Sequence, residues 1–153
     1  MTEPRWLSDD EQQTWRAVIS LCTLLPNRLG RDLQVGHQLS LPDYEILVRL
    51  SECPKRQMRM SDLATVTLSS RSRLSHQVTR MEQAGLVRRE ECRTDRRGWL
   101  AVLTDEGLER LKAAAPDHVE TVRTVIFDEL SDADQAALGR ICRTLADKLQ
   151  ADV

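Results

Sequence analysis

The sequence predicts a mainly α-helical fold with a small β-hairpin, and three observations carry that prediction. Apolar residues recur at spacings of three and four in several separate stretches, the period of a helix with one buried face. Only five residues are aromatic (Trp6, Trp15, Trp99, Tyr44 and Phe127), so the core must be built mostly from Leu, Val, Ile and Ala, a supply that favours helices over a sandwich. Finally, Leu86 to Cys92 and Trp99 to Leu103 read as two short strands around the basic turn Arg93-Thr94-Asp95-Arg96-Arg97-Gly98. Two short helical patterns stand just before this hairpin and a new helix starts just after it. The stretch from Met58 to Gly107 therefore reads as a winged helix-turn-helix, with terminal helices left over at both ends.

Taken in order, the first helix starts at Ser8, because Ser8 and Glu11 have the S-x-x-E spacing that satisfies free backbone donors at both positions. Trp15, Ile19, Cys22, Leu25 and Leu29 then form an apolar stripe suited to covering a core or a partner. Pro26 lies inside the stripe, lacks an N–H and crowds the preceding turn, so a kink or break is expected there, and Gly36 supplies a stop. Ser40 to Pro54 reads as the second helix, with Pro42 in its first turn and Tyr44, Leu47 and Leu50 at helical spacing. Lys55 to Arg59 is a short polar connection, with room for one extended segment at Met58 to Met60.

A compact helix follows, with Ser61 as its N-cap and Leu63, Ala64 and Val66 facing inward. Ser69 or Ser70 caps the next helix, which reaches Ala84 on a narrow apolar face of Leu74, Val78 and Met81. Gly85 supplies the left-handed position that ends it. After the hairpin, Thr104 caps a long helix carrying Leu108, Leu111, Ala115, Val119, Val122 and Ile126, bent or divided at Pro116. Ser131 and Asp134 open the last helix, whose Leu138, Ile141, Cys142, Leu145 and Leu149 make one stripe. Residues 40–104 are thus the winged helix-turn-helix region, and 8–36 with 105–150 a helical dimerisation region, all in one continuous structural domain. The terminal helices carry more apolar stripe than one small module covers, and a second copy of the chain is its simplest home.

The formal net charge of −2 conceals an asymmetry. Between Ser69 and Gly98 stand eight Arg against four acidic residues, whereas the remainder holds fourteen basic and twenty acidic residues. One basic patch on an acidic body is the footprint of a nucleic-acid binder, and double-stranded DNA is the expected partner. An enzyme is not expected: HExxH, GxSxG, Walker and Rossmann patterns are absent, and three scattered His pair with no nucleophile. Four cysteines lie far apart without CxxC spacing, so no disulfide framework, metal site or cofactor is indicated. No apolar run reaches the roughly 18 residues of a membrane span and MTEPRWLSDDEQ has no apolar export core, so no membrane partner and a cytoplasmic location are expected.

A helix reads the major groove when a second helix braces it and its own apolar face is buried. The residues left outward on the helix after Ser70 are small or hydrogen-bonding: Ser69, Ser70, Arg71, Ser72, Arg73, Ser75 and His76, with Arg80 further along. Short serines permit close approach and bond phosphates, and Arg can take a guanine edge with two hydrogen bonds. At the hairpin tip, Arg93, Arg96 and Arg97 suit the concentrated negative potential of a minor groove, and Asp95 is placed to hold a neighbouring Arg by a salt bridge.

Asp95-Arg96-Arg97-Gly98 followed by Leu103-Thr104-Asp105-Glu106-Gly107 resembles the wing signature (D-x-R, then L-T-x-x-G) of the multiple-antibiotic-resistance regulator (MarR) family. Ser61-Asp62-Leu63-Ala64, Ser70 to Arg80 and Gly85-Leu86-Val87 are similar to that family's two DNA-binding helices and first wing strand. The resemblance implies a homodimer on a pseudo-palindromic operator, usually a repressor of transcription and often released by a small ligand or thiol oxidation. It also implies that Arg97 is the wing arginine that enters the minor groove and Asp95 the acidic residue that orients the wing.

For the release step, Cys92 is the redox candidate, since Arg89 and Arg93 favour its thiolate while Glu90 and Glu91 oppose it. Cys22 and Cys142 fall on apolar stripes and read as small buried hydrophobes. Trp15, His37, Tyr44 and His118 are candidates for lining an effector pocket, each with a packed or solvated role as the plainer reading, and no residue set selects an effector. The rival reading is a winged helix used for protein–protein or RNA contact without operator specificity, which would not need three Arg at the wing tip.

Overall fold

The computed structural model describes residues 3–92 and 98–151. They form six α-helices and three strands in the order α1 (Asp9–His37), α2 (Leu41–Ser51), β1 (Gln57–Arg59), α3 (Met60–Val66), α4 (Arg71–Gln83), β2 (Val87–Glu91), β3 (Trp99–Leu103), α5 (Asp105–Val125) and α6 (Asp132–Ala151). Single 3-10 turns lie at Pro54–Arg56 and Phe127–Glu129. The fold is the predicted one, mainly α with a small wing sheet. The chain divides into two compact units, Met1–Ala115 and Pro116–Val153.

In the first unit, α1 begins with the expected capping box: Ser8 N donates to Glu11 Oε2 at 2.7 Å and Glu11 N to Ser8 Oγ at 3.2 Å. Of the kink or break expected at Pro26, the break does not occur: the 29-residue helix runs through it. Proline removes one backbone bond, and a helix this long retains its neighbours on both sides. Nor does Gly36 end the helix. Gln38 takes the left-handed conformation (φ 54°), and Leu39 N donates back to Leu33 O at 3.3 Å. This turn buries Leu39 beside Leu33 and delivers the chain to Ser40, whose hydroxyl accepts from Asp43 N and caps α2.

The core of this unit is aliphatic, as the composition requires. Leu33, Leu39, Ile46, Leu47, Leu50, Leu63, Leu74, Val78 and Val87 are fully buried, each stabilising the fold by about 1.5–3 kcal/mol relative to an exposed position. One polar side chain joins them: Gln77 of α4 donates from Nε2 to Asp43 Oδ1 at 3.1 Å, while Asp43 Oδ2 accepts from Ser40 Oγ at 2.6 Å. The cap of α2 and the inner face of α4 are thus one hydrogen-bonded network, with its buried amide satisfied.

The sheet has three strands in the order β1-β3-β2, both pairs antiparallel. β2 and β3 form the predicted hairpin, in register from Val87↔Leu103 to Glu91↔Trp99, and Cys92 N donates to Gly98 O at 2.8 Å beyond its last pair. β1 adds Gln57↔Val102 to Arg59↔Leu100 on the other edge of β3. That pairing changes the start of α3, because the chain leaves the sheet at Arg59 and turns helical at Met60. Ser61 is therefore not the N-cap; it lies inside the first turn, and Arg59 takes the cap position without a side-chain bond. Leu63 and Ala64 are buried as expected, but Val66, at the end of this short helix, is exposed.

Thr104 shows why the hairpin runs straight into α5. Its Oγ1 donates to Gly85 O at 2.6 Å and accepts from Gly107 N at 3.0 Å, fastening the helix start to the turn that closes α4. Gly85 is left-handed there (φ +75°), as predicted. Gly107 is required by space: a Cβ on it would lie 2.1 Å from Leu86 O and 2.8 Å from Leu103 Cδ1.

α5 is a single helix with Pro116 inside it rather than two. In the second unit, Ser131 Oγ donates to Asp134 Oδ2 at 2.5 Å and accepts from Asp134 N at 3.2 Å, opening α6 as expected. No residue of α6 is buried; its stripe of Leu138, Ile141, Leu145 and Leu149 is exposed in the single chain. Cys142 on that helix and Cys22 on α1 are likewise exposed, not buried. Among the described residues no helix is long and apolar enough to cross a membrane.

Gly107→Ala is expected to destabilise the protein by about 1–3 kcal/mol or more, because the new methyl meets a backbone carbonyl that cannot rotate away. Urea unfolding of the two proteins measures this, and a loss below about 0.5 kcal/mol would contradict the close approach.

Candidate nucleic-acid interface

α3 and α4 are joined by a turn whose polar groups are nearly all spent on its own backbone. Thr67 Oγ1 donates to Leu63 O at 2.7 Å, Leu68 is left-handed (φ 50°), and Ser69 N donates to Ala64 O at 2.9 Å. Ser70 then caps α4, its hydroxyl accepting from Arg73 N at 3.2 Å. α4 buries Leu74, Gln77, Val78 and Met81, so Arg71, Ser72, Arg73, Ser75, His76 and Arg80 face outward. Among the described residues none of those six side chains is held by an ion pair or hydrogen bond. Ser69, placed in the same set by sequence, is half-buried, with its hydroxyl donating to Thr67 O at 3.3 Å. It belongs to the turn more than to the open face.

The arginines of the basic segment divide into three groups. Arg88 is paired with Glu90 at 2.6 Å, an exposed pair within β2. Arg89 reaches back to α4, with Nη1 3.2 Å from Glu82 Oε2, Nη2 2.9 Å from Thr79 Oγ1 and 2.7 Å from Ser75 O. Arg71, Arg73 and Arg80 stay open, so the free positive charge is concentrated on the outer face of one helix. Arg93, Asp95, Arg96 and Arg97 of the wing tip lie outside the described residues.

Between α4 and the base of the wing runs a groove of about 800 Å³ bordered by Arg59, Ser61, Arg71, Ser75, Arg89 and Trp99. Sequence reasoning singles out Arg71 and Ser75 and misses Arg59, Ser61 and Trp99 as their neighbours. β1 brings Arg59 and Ser61 there by pairing with β3, a long-range register that no local pattern announces. The Glu82 and Arg89 spacing, seven residues across a glycine turn, is a usable signal for the contact between helix and strand.

Cys92 is buried, 7% exposed, and the Arg89 guanidinium expected to support its thiolate is bound to α4 instead. Of the residues considered for an effector pocket, Tyr44 sits in the core, where burial pushes its hydroxyl above the ordinary phenol range, and Trp15 is exposed. His37 is half-buried, and burial pushes the imidazole of His118, in the second unit, below the ordinary histidine range. Among the described residues no group of three or more His, Cys, Asp or Glu is placed to hold a metal ion.

Comparison with known proteins agrees with this geometry. A family model described as MarR family matches residues 37–98, which span α2 to the base of the wing. The crystal structure of AbsC, a MarR family transcriptional regulator from Streptomyces coelicolor, is 50% identical, covers 97% of this chain and 99% of that one, and superposes with a TM-score of 0.93. Sco3205, a MarR family transcriptional regulator of the same organism solved in complex with DNA, is 47% identical over 98% of this chain and 94% of its own, with a TM-score of 0.94. The HTH-type transcriptional regulator PecS of Dickeya dadantii (strain 3937) is 29% identical over 127 residues, 80% of this chain and 76% of PecS. With half of its residues shared with one such regulator over nearly its whole length, this chain belongs to the MarR family of transcriptional regulators.

Proposed function

We propose that the protein is a sequence-specific regulator that binds duplex DNA as a homodimer on a pseudo-palindromic operator and represses transcription. The observation that carries this reading is the outer face of α4, where three unpaired arginines, two short serines and an imidazole stand exposed on a helix braced from behind. Short outward side chains let a helix approach base edges, and unpaired Arg serves either a guanine or a phosphate. The 47%-identical Sco3205, solved in complex with DNA, supports the same reading. A module for protein contact has no need of so basic a helix face.

The second copy is argued from apolar surface. α6 is a 20-residue helix with no buried residue, and a lone helix of that length is only marginally stable in water. Leu145 and Leu149 stand 54% and 68% exposed on its stripe, and on α1 Trp15, Ile19 and Leu24 are exposed as well. Burying such side chains returns about 1.5–3 kcal/mol each, and a partner copy supplies the cover. The regions proposed for this role remain 8–36 and 105–150, with 40–104 as the DNA-reading part.

Release of DNA by a small ligand is favoured over release by oxidation of Cys92, because that thiol is buried where a redox sensor needs an accessible thiolate. The wing residues Arg93, Asp95, Arg96 and Arg97 keep the roles given to them by their sequence, with Arg97 in the minor groove.

Titration with the promoter DNA beside the protein's own gene tests the central claim. Saturable binding that survives non-specific competitor is expected, with half-sites about 10 base pairs apart; equal affinity for competitor DNA or RNA would overturn it. Arg97→Ala and Arg73→Ala are each expected to weaken binding and to reduce the log–log salt slope by roughly 0.9 for every phosphate no longer neutralised. Leu145→Glu should shift the protein from dimer to monomer in sedimentation velocity and lower operator affinity with it. Cys92→Ser is expected to bind the operator as the unmodified protein does and to respond identically to peroxide; a selective loss of peroxide response would restore the thiol switch.

A further inference from the structure

Arg89 is the one arginine of the basic segment, among the described residues, whose side chain is bound to residues of α4, and the manner of its binding separates it from the rest. Its side chain meets three residues of α4, Ser75, Thr79 and Glu82, which fall on one stripe two turns long. Its backbone is pinned too, since Arg89 N donates to Glu82 Oε1 at 2.9 Å. The hydrogen-bond directions close without conflict: Thr79 Oγ1 donates to Ser75 O at 2.9 Å and accepts from Arg89 Nη2 at 2.9 Å. Glu82 meanwhile takes both the strand N–H and the guanidinium. A connected network of this kind, partly shielded from water, holds geometry better than an exposed ion pair; the Arg89 side chain is 21% exposed.

Position gives the network its consequence. Arg89 lies in the middle of β2, opposite Ala101, so a contact there orients the whole hairpin. β1 holds the far edge of β3, whereas β2 is the opposite edge strand, so its placement against α4 rests on contacts such as this one. Ser75, whose carbonyl Arg89 grips, is also an outward residue of α4. One guanidinium therefore ties the helix proposed to read bases to the wing proposed to enter the neighbouring groove. A protein that engages two grooves at once needs their relative placement held to within about 0.5 Å.

We propose that Arg89 is a positioning residue for operator binding, clamping the base of the wing to α4 through Ser75, Thr79 and Glu82 without itself touching DNA. The proposal rests on the duplex-DNA reading above. It makes Arg89 different in kind from Arg71, Arg73 and Arg80: its charge is neutralised by Glu82, so its removal disturbs alignment and leaves the phosphates held by the other arginines unchanged.

The test uses the full chain and a fluorescent duplex of the promoter DNA beside its gene, titrated at several salt concentrations. Arg89→Met and Glu82→Ala are each expected to weaken binding at least about fivefold with an unchanged salt slope, and the double variant to bind no more weakly than the worse single one. Glu82→Ala is decisive in sign, because removing a negative charge beside a polyanion tightens binding if charge alone matters. Arg89→Lys, which keeps the charge and loses the fork, is expected to remain weak. Hydrogen exchange should accelerate in the amides of Val87–Glu91 in the variants while protection at Leu74–Val78 persists. Should Arg89→Met fail to fold, Thr79→Val and Glu82→Ala carry the same test from the helix side. A salt slope flattened by roughly 0.9 in Arg89→Met, tighter binding by Glu82→Ala, or additive losses in the double variant would each overturn the clamp while leaving DNA binding intact. Absence of duplex-specific binding by the unmodified protein would overturn the underlying reading and the clamp with it.

Discussion

Helix α4 must be gripped along one side and left untouched along the other, and the first unit is organised around that requirement. The grip is mostly aliphatic, through Leu74, Val78 and Met81, with Gln77, bonded to Asp43, as the buried polar member among the described residues. A helix of 13 residues has little stability of its own, so its presentation depends on this packing. The Gln77–Asp43 bond adds direction to packing that is otherwise non-directional. It fixes the rotation of α4 about its axis relative to the start of α2, and with it the side chains that point outward. The short turn from Thr67 to Ser70, saturated by its own hydrogen bonds, then sets where the outward face begins.

Charge is distributed by the same logic. Eight arginines in thirty residues suggest a uniformly basic patch, but the fold neutralises two of them locally and leaves three open on α4. An arginine matched to a carboxylate on its own chain contributes little attraction to a phosphate, whereas an open one contributes a full counterion-releasing contact. The proposed division of labour follows: open arginines for affinity, Arg89 for alignment, and the wing tip for register.

Glycine and threonine at the hairpin's exit are part of the same device. Thr104 and Gly107 bring the start of α5 against the Gly85–Leu86 turn, so the helix that leaves the wing is fastened to the end of α4. The L-T-x-x-G pattern thus has a mechanical meaning in this chain: the threonine caps and tethers, and the glycine lets a backbone carbonyl approach where a methyl group would collide.

Local chemistry was legible in the sequence. The Ser8–Glu11 box, the Ser70 cap, the left-handed Gly85, both wing strands and the apolar face of α4 follow from residues within a few positions of each other, because capping and helical or strand periodicity are short-range effects. The outward set on α4 followed from that face by exclusion. A distant partner accounts for one difference: β1 pairs with β3 and so moves the start of α3 to Met60, displacing Ser61 from the cap. Two others are settled within α1 and its end, where a 29-residue helix continues through Pro26 and Leu39, packing with Leu33, places the helix end at Gln38 rather than Gly36. The sequence alone determined that a basic, serine-lined helix precedes a wing. Only the tertiary structure decided which arginines are free and which one clamps, because ion pairs and hydrogen bonds across elements depend on where Glu82, Thr79 and Ser75 come to lie against β2.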